Sequence, residues 1–223
     1  MAYQFDITFI PQYSGMLAQG VAYTLGLTLV GGVLGLGIGT AGAICRLWRL
    51  RPLDGLYRCY VEVFRNTPFL VQLFLVFFGL PSLGVKMTEW EAAILAMVLN
   101  LGAYSTEIIR AGLQATPPGQ VEAAEALGLN RWQTFFYVML RPALRKVWPA
   151  LSSQIVITML GSSVCSQISA EELTFVANFI QSRNFRAFET YFLTAALYFA
   201  LAVLVRRLLG LVNRYVINRR PQA

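Results

Sequence analysis

Apolar residues along this chain gather into five long runs, at about 20–45, 56–80, 90–115, 147–168 and 190–212, with polar or charged stretches between them. Crossing about 30 Å of hydrocarbon at 1.5 Å per residue takes roughly 20 helical residues, so each run is long enough to span a bilayer. The pattern predicts an all-α membrane protein with five transmembrane helices in one domain, residues 1–223. In the first run Gly31, Gly35 and Gly39 recur every four residues, a spacing that lets helix backbones approach closely in lipid. This glycine row reads as a packing face or as a hinge. Between the fourth and fifth runs, Leu173, Val176, Ala177 and Ile180 stand at helical spacing within residues 169–189, with charges elsewhere, the pattern of a surface helix.

One polar interruption has an organisation of its own. Residues 116–146 predict two short helices bent at Gly128. Thr116 suits an N-cap, and Pro117 and Pro118 suit first helical positions, where a backbone N–H would lack a partner anyway. Glu122 and Glu125 then fall near the positive end of the first helix. Gly128 suits the left-handed residue that closes it, and Asn130 with Gln133 resembles a capping box opening the second. Ala123, Ala124 and Ala126 are expected to form a small, flat face that the backbone of another protein can approach. The expectation is a docking elbow.

Composition and charge place the elbow in its compartment. The chain is 57% hydrophobic and 13% charged with a mean hydropathy of +0.57, far from an average soluble domain. Its net charge of +7 raises the question of nucleic acid. Of its 18 basic residues, however, only Lys86, Arg183 and Arg186 fall on the side away from the elbow. By the positive-inside rule the elbow and the C-terminus are cytosolic and the N-terminus is outside, and the positive charge faces an anionic leaflet instead of nucleic acid. The N-terminal residues lack a basic region ahead of the first apolar run, so a cleaved signal peptide is not expected. Cys45, Cys59 and Cys165 have no metal-ligand spacing and there is no histidine, so no metal site is expected.

The chemistry that is missing narrows the function. There is no nucleophile, base and metal constellation and no GxxxxGK[ST] phosphate loop, so neither catalysis nor ATP binding is expected of this chain. Nor are carboxylates spaced through mid-membrane as in ion-coupled carriers. Glu62 with Arg65 and Glu107 with Arg110, each at i,i+3 near a cytosolic helix end, read as structural ion pairs or as gating residues. Asn100, Tyr104 and Ser105 in the third run, with Ser162, Ser163 and Gln167 in the fourth, are candidates for substrate contact or for interhelical hydrogen bonds. Gly161 beside Ser162 and Ser163 is a place for local unwinding. Five helices are few to enclose a pathway, so the chain reads as half of a pore driven from outside. The alternatives are a secondary carrier or channel working without ATP, and a membrane scaffold recruiting a partner through the elbow.

Three stretches carry a resemblance. Glu122-Ala123-Ala124 with Gly128 looks like the EAA loop of ATP-binding cassette importer permeases. VEVFRNTPFLVQLFLVFFGLP, residues 61–81, and LNLGAYSTEIIRAGLQATPPGQVEAA, residues 99–124, resemble the signature of the polar amino acid branch, and the similarity runs through nearly the whole chain. The resemblance implies the type I importer permease (MetI-like) fold and a multi-pass protein of the bacterial inner membrane that imports a polar or charged amino acid. Glu122, Ala123, Ala124 and Gly128 would dock on the ATPase. Its implied partners are a second permease subunit, two cytosolic ATPase subunits holding ATP and Mg, and an extracytoplasmic amino-acid-binding protein. Two departures stand out. The family's Leu-Pro is Leu140-Arg141-Pro142 here, which shifts the expected helix end by one residue. Its charged run in the fourth span is replaced by Leu160-Gly161-Ser162-Ser163, which favours a heterodimer in which the other permease carries the stronger substrate half-site.

Overall fold

A computed structural model of the chain describes residues 5–217, and no β-strand occurs among them. Arg219 and Arg220, counted above with the cytosolic charges, lie outside the described residues. In chain order the helices are α1 (Ile10–Leu47), α2 (Leu53–Arg65), α3 (Phe69–Ser82), α4 (Glu89–Gln114), α5 (Pro118–Ala126), α6 (Arg131–Ile168), α7 (Leu173–Asn184) and α8 (Ala187–Tyr215). Of these, α1, α4, α6 and α8 are each long and apolar enough to cross a membrane. The second apolar run, expected as one continuous helix, is instead the pair α2 and α3, bent by 114°.

Pro68 explains the bend. It lacks an N–H, its ring disfavours helical geometry at the residue before it, and its own backbone is extended (φ −63°, ψ 140°). Gln72, which is buried, repairs the break. Its side-chain amide donates to the Phe64 carbonyl (2.7 Å) and the Thr67 carbonyl (3.0 Å), which a continuous helix would have satisfied, and to the Thr67 hydroxyl (2.9 Å).

The centre of the bundle is the pair α1 and α4. The glycine row of α1 lies on a matching row of α4, where Met97, Leu101 and Ser105 also recur every four residues. A Cβ built on Gly31, Gly35 or Gly39 would come within 3.3, 3.0 and 2.4 Å of these side chains in turn. The row is therefore a packing face. Contact this close explains why the apolar core beside it holds small residues, among them Ala92, Ala93 and Ala96.

On the side away from the elbow, α7 packs its apolar stripe inward. Leu173, Val176, Ala177 and Ile180 are all buried, and Gly20 of α1 meets the Leu173 backbone. The charges do not all face outward, as the surface-helix pattern had implied. Glu172 is fully buried at the N-cap of α7, where its carboxylate accepts from the Phe175 N–H (2.9 Å) and from the Tyr198 hydroxyl of α8. Burial pushes this carboxyl up from its ordinary value, against the pull of those hydrogen bonds. Glu189 is also buried and accepts from the Asp6 N–H, while Arg186 pairs with Asp6 at 2.8 Å, so the segment just before α1 is tied to the α7–α8 turn at Asp6.

Candidate functional site

The elbow is built by local rules with long-range anchoring. The helix α5 starts at Pro118 with Pro117 as its cap residue, so Thr116 is not the N-cap, and Glu122 and Glu125 lie beyond the first turn. It closes with the Gly128 N–H donating to the Glu125 carbonyl (2.9 Å) and the Leu129 N–H to the Ala124 carbonyl (3.1 Å), a Schellman arrangement that needs Gly128 at φ +74°. Asn130 and Gln133 form the capping box in both directions, at 3.0 and 2.8 Å. Ala124 is buried against the body, whereas Glu122, Ala123 and Ala126 are exposed, so the three alanines do not share one face. Leu127, 81% exposed at the tip, is the most exposed of the elbow's large apolar groups, with Trp132, Phe136 and Tyr137 also exposed.

Where a short second helix ending near Leu140 was expected, α6 runs on without a stop for 38 residues. The wide π-helical turns at Thr134–Leu140 keep the Pro142 ring clear of the preceding carbonyls, so the proline is absorbed instead of ending the helix. Trp48 at the end of α1 holds the start of α6. Its ring meets Trp132 edge-on at 4.4 Å, and the Arg131 guanidinium sits 4.9 Å from its centre. Phe135, fully buried, continues this anchor into the core.

A cavity of about 430 Å³ with a mixed polar and apolar lining lies between the α2–α3 break, α4 and α6. Its lining includes Thr67, Pro68, Asn100, Tyr104, Gln154, Thr158 and Gly161. Asn100 also donates to Gln72 (2.9 Å), coupling the cavity wall to the repaired break. Of the six residues proposed from the sequence for substrate contact, Asn100 and Tyr104 line this cavity and the other four do not. Ser105 is buried against Gly39, with its hydroxyl unpartnered among the described residues. The hydroxyls of Ser162 and Ser163 bond back to the Met159 and Leu160 carbonyls, and Gln167 is exposed. The chain at Gly161 does not unwind. It tightens into a 3-10 helix over Ser162–Ile168. Gln154 and Thr158 escaped the sequence reading although they form a polar i,i+4 pair in a charge-free run, and Thr67-Pro68 escaped it although it interrupts an apolar one.

The two charge pairs diverge. Glu107 binds Arg110 at 2.7 Å and also receives Arg46 of α1, while Asp54 of α2 lies 3.9 Å from Arg46 and 3.0 Å from Arg58. This network ties α1, α2 and α4 at the elbow end. Glu62 and Arg65 form no ion pair with one another, and the Arg65 guanidinium sits 5.5 Å from the centre of the Tyr104 ring. Arg65 is the last residue of α2, at the break in the second span, and Tyr104 is ten residues, about 15 Å along the axis, from the Gln114 end of α4.

Comparison with known proteins places the chain. Residues 31–218 match the family model described as the binding-protein-dependent transport system inner membrane component. The chain is 35% identical over 205 residues to the L-cystine transport system permease protein TcyB of Bacillus subtilis, covering 92% of this chain and 86% of that one. It is 32% identical over 219 residues to the octopine transport system permease protein OccM of Rhizobium radiobacter, covering 94% and 89%. A crystal structure of an amino acid ABC transporter with histidines superposes with a TM-score of 0.86 at 34% identity, covering 96% of this chain and 100% of that chain. An inward-facing structure of the MetNI methionine ABC transporter, at 20% identity and a TM-score of 0.76, shares the fold. With its long apolar helices, bent second span and elbow, this chain belongs to the family of inner-membrane components of binding-protein-dependent transport systems.

Proposed function

We propose that this chain is the permease subunit of an ATP-driven importer for a polar amino acid, with the elbow as the element through which partner ATPase subunits drive it. The observation that carries the reading is the continuity of α6. One helix begins at the Asn130 cap in the elbow and lines the cavity with Gln154, Thr158 and Gly161. From Arg131 to Gly161 it extends roughly 45 Å, through the π-helical turns and Pro149, so a displacement at the elbow has an unbroken helical path to the cavity. Exposed Leu127 beside Glu122 and Ala123 offers the ATPase an apolar contact with a polar rim. On this reading ATP and Mg belong to the ATPase. A second permease subunit, unlike in sequence, completes the pathway, and an extracytoplasmic binding protein delivers the solute. The elbow and C-terminus face the cytosol.

Gly128→Val tests the coupling. A β-branched residue at φ +74° is strained, so α5 would lose its closing turn while the cavity, far along α6, stays unaltered. In proteoliposomes with the ATPase and binding protein, the variant is expected to lose most ATP-dependent uptake while ATP hydrolysis continues. Fully coupled uptake would count against the elbow's role. Flux through the chain alone, driven by an ion gradient, would support a secondary carrier instead.

A further inference from the structure

Two acid–base pairs with the same i,i+3 spacing behave differently in this structure. Glu107 and Arg110 close on one another, with the guanidinium donating to both carboxylate oxygens at 2.7 to 3.3 Å. Glu62 and Arg65 stay open. The Arg65 guanidinium turns to the Tyr104 ring instead, and the Glu62 carboxylate makes no ion pair within 4 Å among the described residues, although its charge also acts on Arg46 of α1. Both side chains belong to exposed residues of one α2 face, about 5–6 Å apart at Cβ for this spacing. Arg65 ends α2 at the break in the second span and Glu62 stands one turn before it, and within a membrane span an open charge pair marks a site more often than a scaffold.

The adjoining cavity carries no formal charge in its lining. Its polar groups are the amides of Asn100 and Gln154 and the hydroxyls of Thr67, Tyr104 and Thr158, set among the apolar walls of Pro68, Phe69 and Ile157. An open pair of opposite charges beside a neutral, hydrogen-bonding cavity is complementary to a zwitterion with an uncharged polar side chain. Building on the permease reading above, we propose that Arg65 receives the α-carboxylate and Glu62 the α-ammonium of the transported amino acid, and that the cavity takes a neutral polar side chain. A cationic side chain would enter with no carboxylate to meet it, at an uncompensated desolvation cost.

The test is equilibrium binding to the permease assembled with its partner subunits in nanodiscs, without the binding protein. The probes are labelled L-glutamine, L-arginine, and L-glutamine blocked at one end, as the α-amide or as the N-acetyl derivative. On the unmodified complex, arginine and both blocked forms are expected to bind roughly tenfold or more weakly than glutamine, the scale of one lost charge-assisted hydrogen bond. Arg65→Gln should weaken glutamine to the level of the α-amide without further weakening the α-amide, and Arg65→Lys should recover part of the loss. Glu62→Gln should do the same with respect to the N-acetyl form. Equal binding of glutamine and its blocked forms, or arginine binding as tightly as glutamine, would overturn the proposal without any variant having to fold. If the complex neither binds nor imports any amino acid, the permease reading itself falls.

Discussion

The closest contact in the bundle gives the most direct test of how it is held together. A Cβ on Gly39 would lie 2.4 Å from the Ser105 Cβ, 3.0 Å from the Thr106 backbone nitrogen and 3.1 Å from the Ser105 carbonyl carbon, where ordinary contact is 3.4–4 Å. No flexible side-chain tip is involved, so α1 and α4 must separate by about 1 Å. A gap of that size forfeits up to about half the dispersion energy of each contact along the row, including Met97 on Gly31 and Leu101 on Gly35. We expect Gly39→Ala to cost about 3 kcal/mol in packing, offset by about 1 kcal/mol from the better helix propensity of alanine. Gly37→Ala is the control, because nothing lies within 4 Å of the added methyl and only the propensity gain remains. Unfolding can be followed with a thiol-reactive dye at buried Cys165 in a Cys45→Ser, Cys59→Ser background. At roughly 2–4 °C per kcal/mol for a chain of this size, Gly39→Ala should melt about 4–8 °C below the parent, with Gly37→Ala at or above it. If the two alanine variants melt together, the glycine row is not the packing face.

Two further outcomes follow from buried polar groups. Gln72→Leu keeps the side-chain volume but leaves the Phe64 and Thr67 carbonyls at the break without their donor, so it should destabilise by about 2–4 kcal/mol and lower the same melting temperature; no change would mean that the break is not held by Gln72. Because burial raises the Glu172 carboxyl, the folded chain binds more protons there than the unfolded chain between the ordinary carboxylate range and the raised value, and stability should fall as pH rises through that window. Melting curves across mildly acidic to neutral pH should show this slope in the parent and lose it in Glu172→Gln, and an identical slope in both would assign the effect elsewhere.

The apolar runs, the Gly128 closure, the Asn130–Gln133 capping box and the buried stripe of α7 were all legible in the sequence. Each depends on hydrophobic period or on hydrogen bonds between residues a few positions apart, and such interactions are written into any stretch that contains them. The glycine row was legible as well, but its meaning as packing face or hinge was not, since that depends on Met97, Leu101 and Ser105 standing opposite. The candidate cavity was half legible. Asn100 and Tyr104 were found as polar residues in an apolar run, but Ser105, one residue further round the same helix, looks the same in sequence and faces the other way.

What the tertiary structure alone decided is how the local signals combine. Pro68 announces a break, yet only the side-chain amide of Gln72 reaching back over it, with Asn100 behind, makes a 114° bend tolerable inside a membrane. Pro142 announces another, yet π-helical turns carry α6 through it. Identical i,i+3 spacing also left the fate of the two charge pairs open. Arg46 comes from α1 to close the network around Glu107, while the Tyr104 ring draws Arg65 away from Glu62. Period and capping act along the chain and survive in the sequence. The partner that satisfies or diverts a buried polar group comes from elsewhere in the chain, and only folding brings it there.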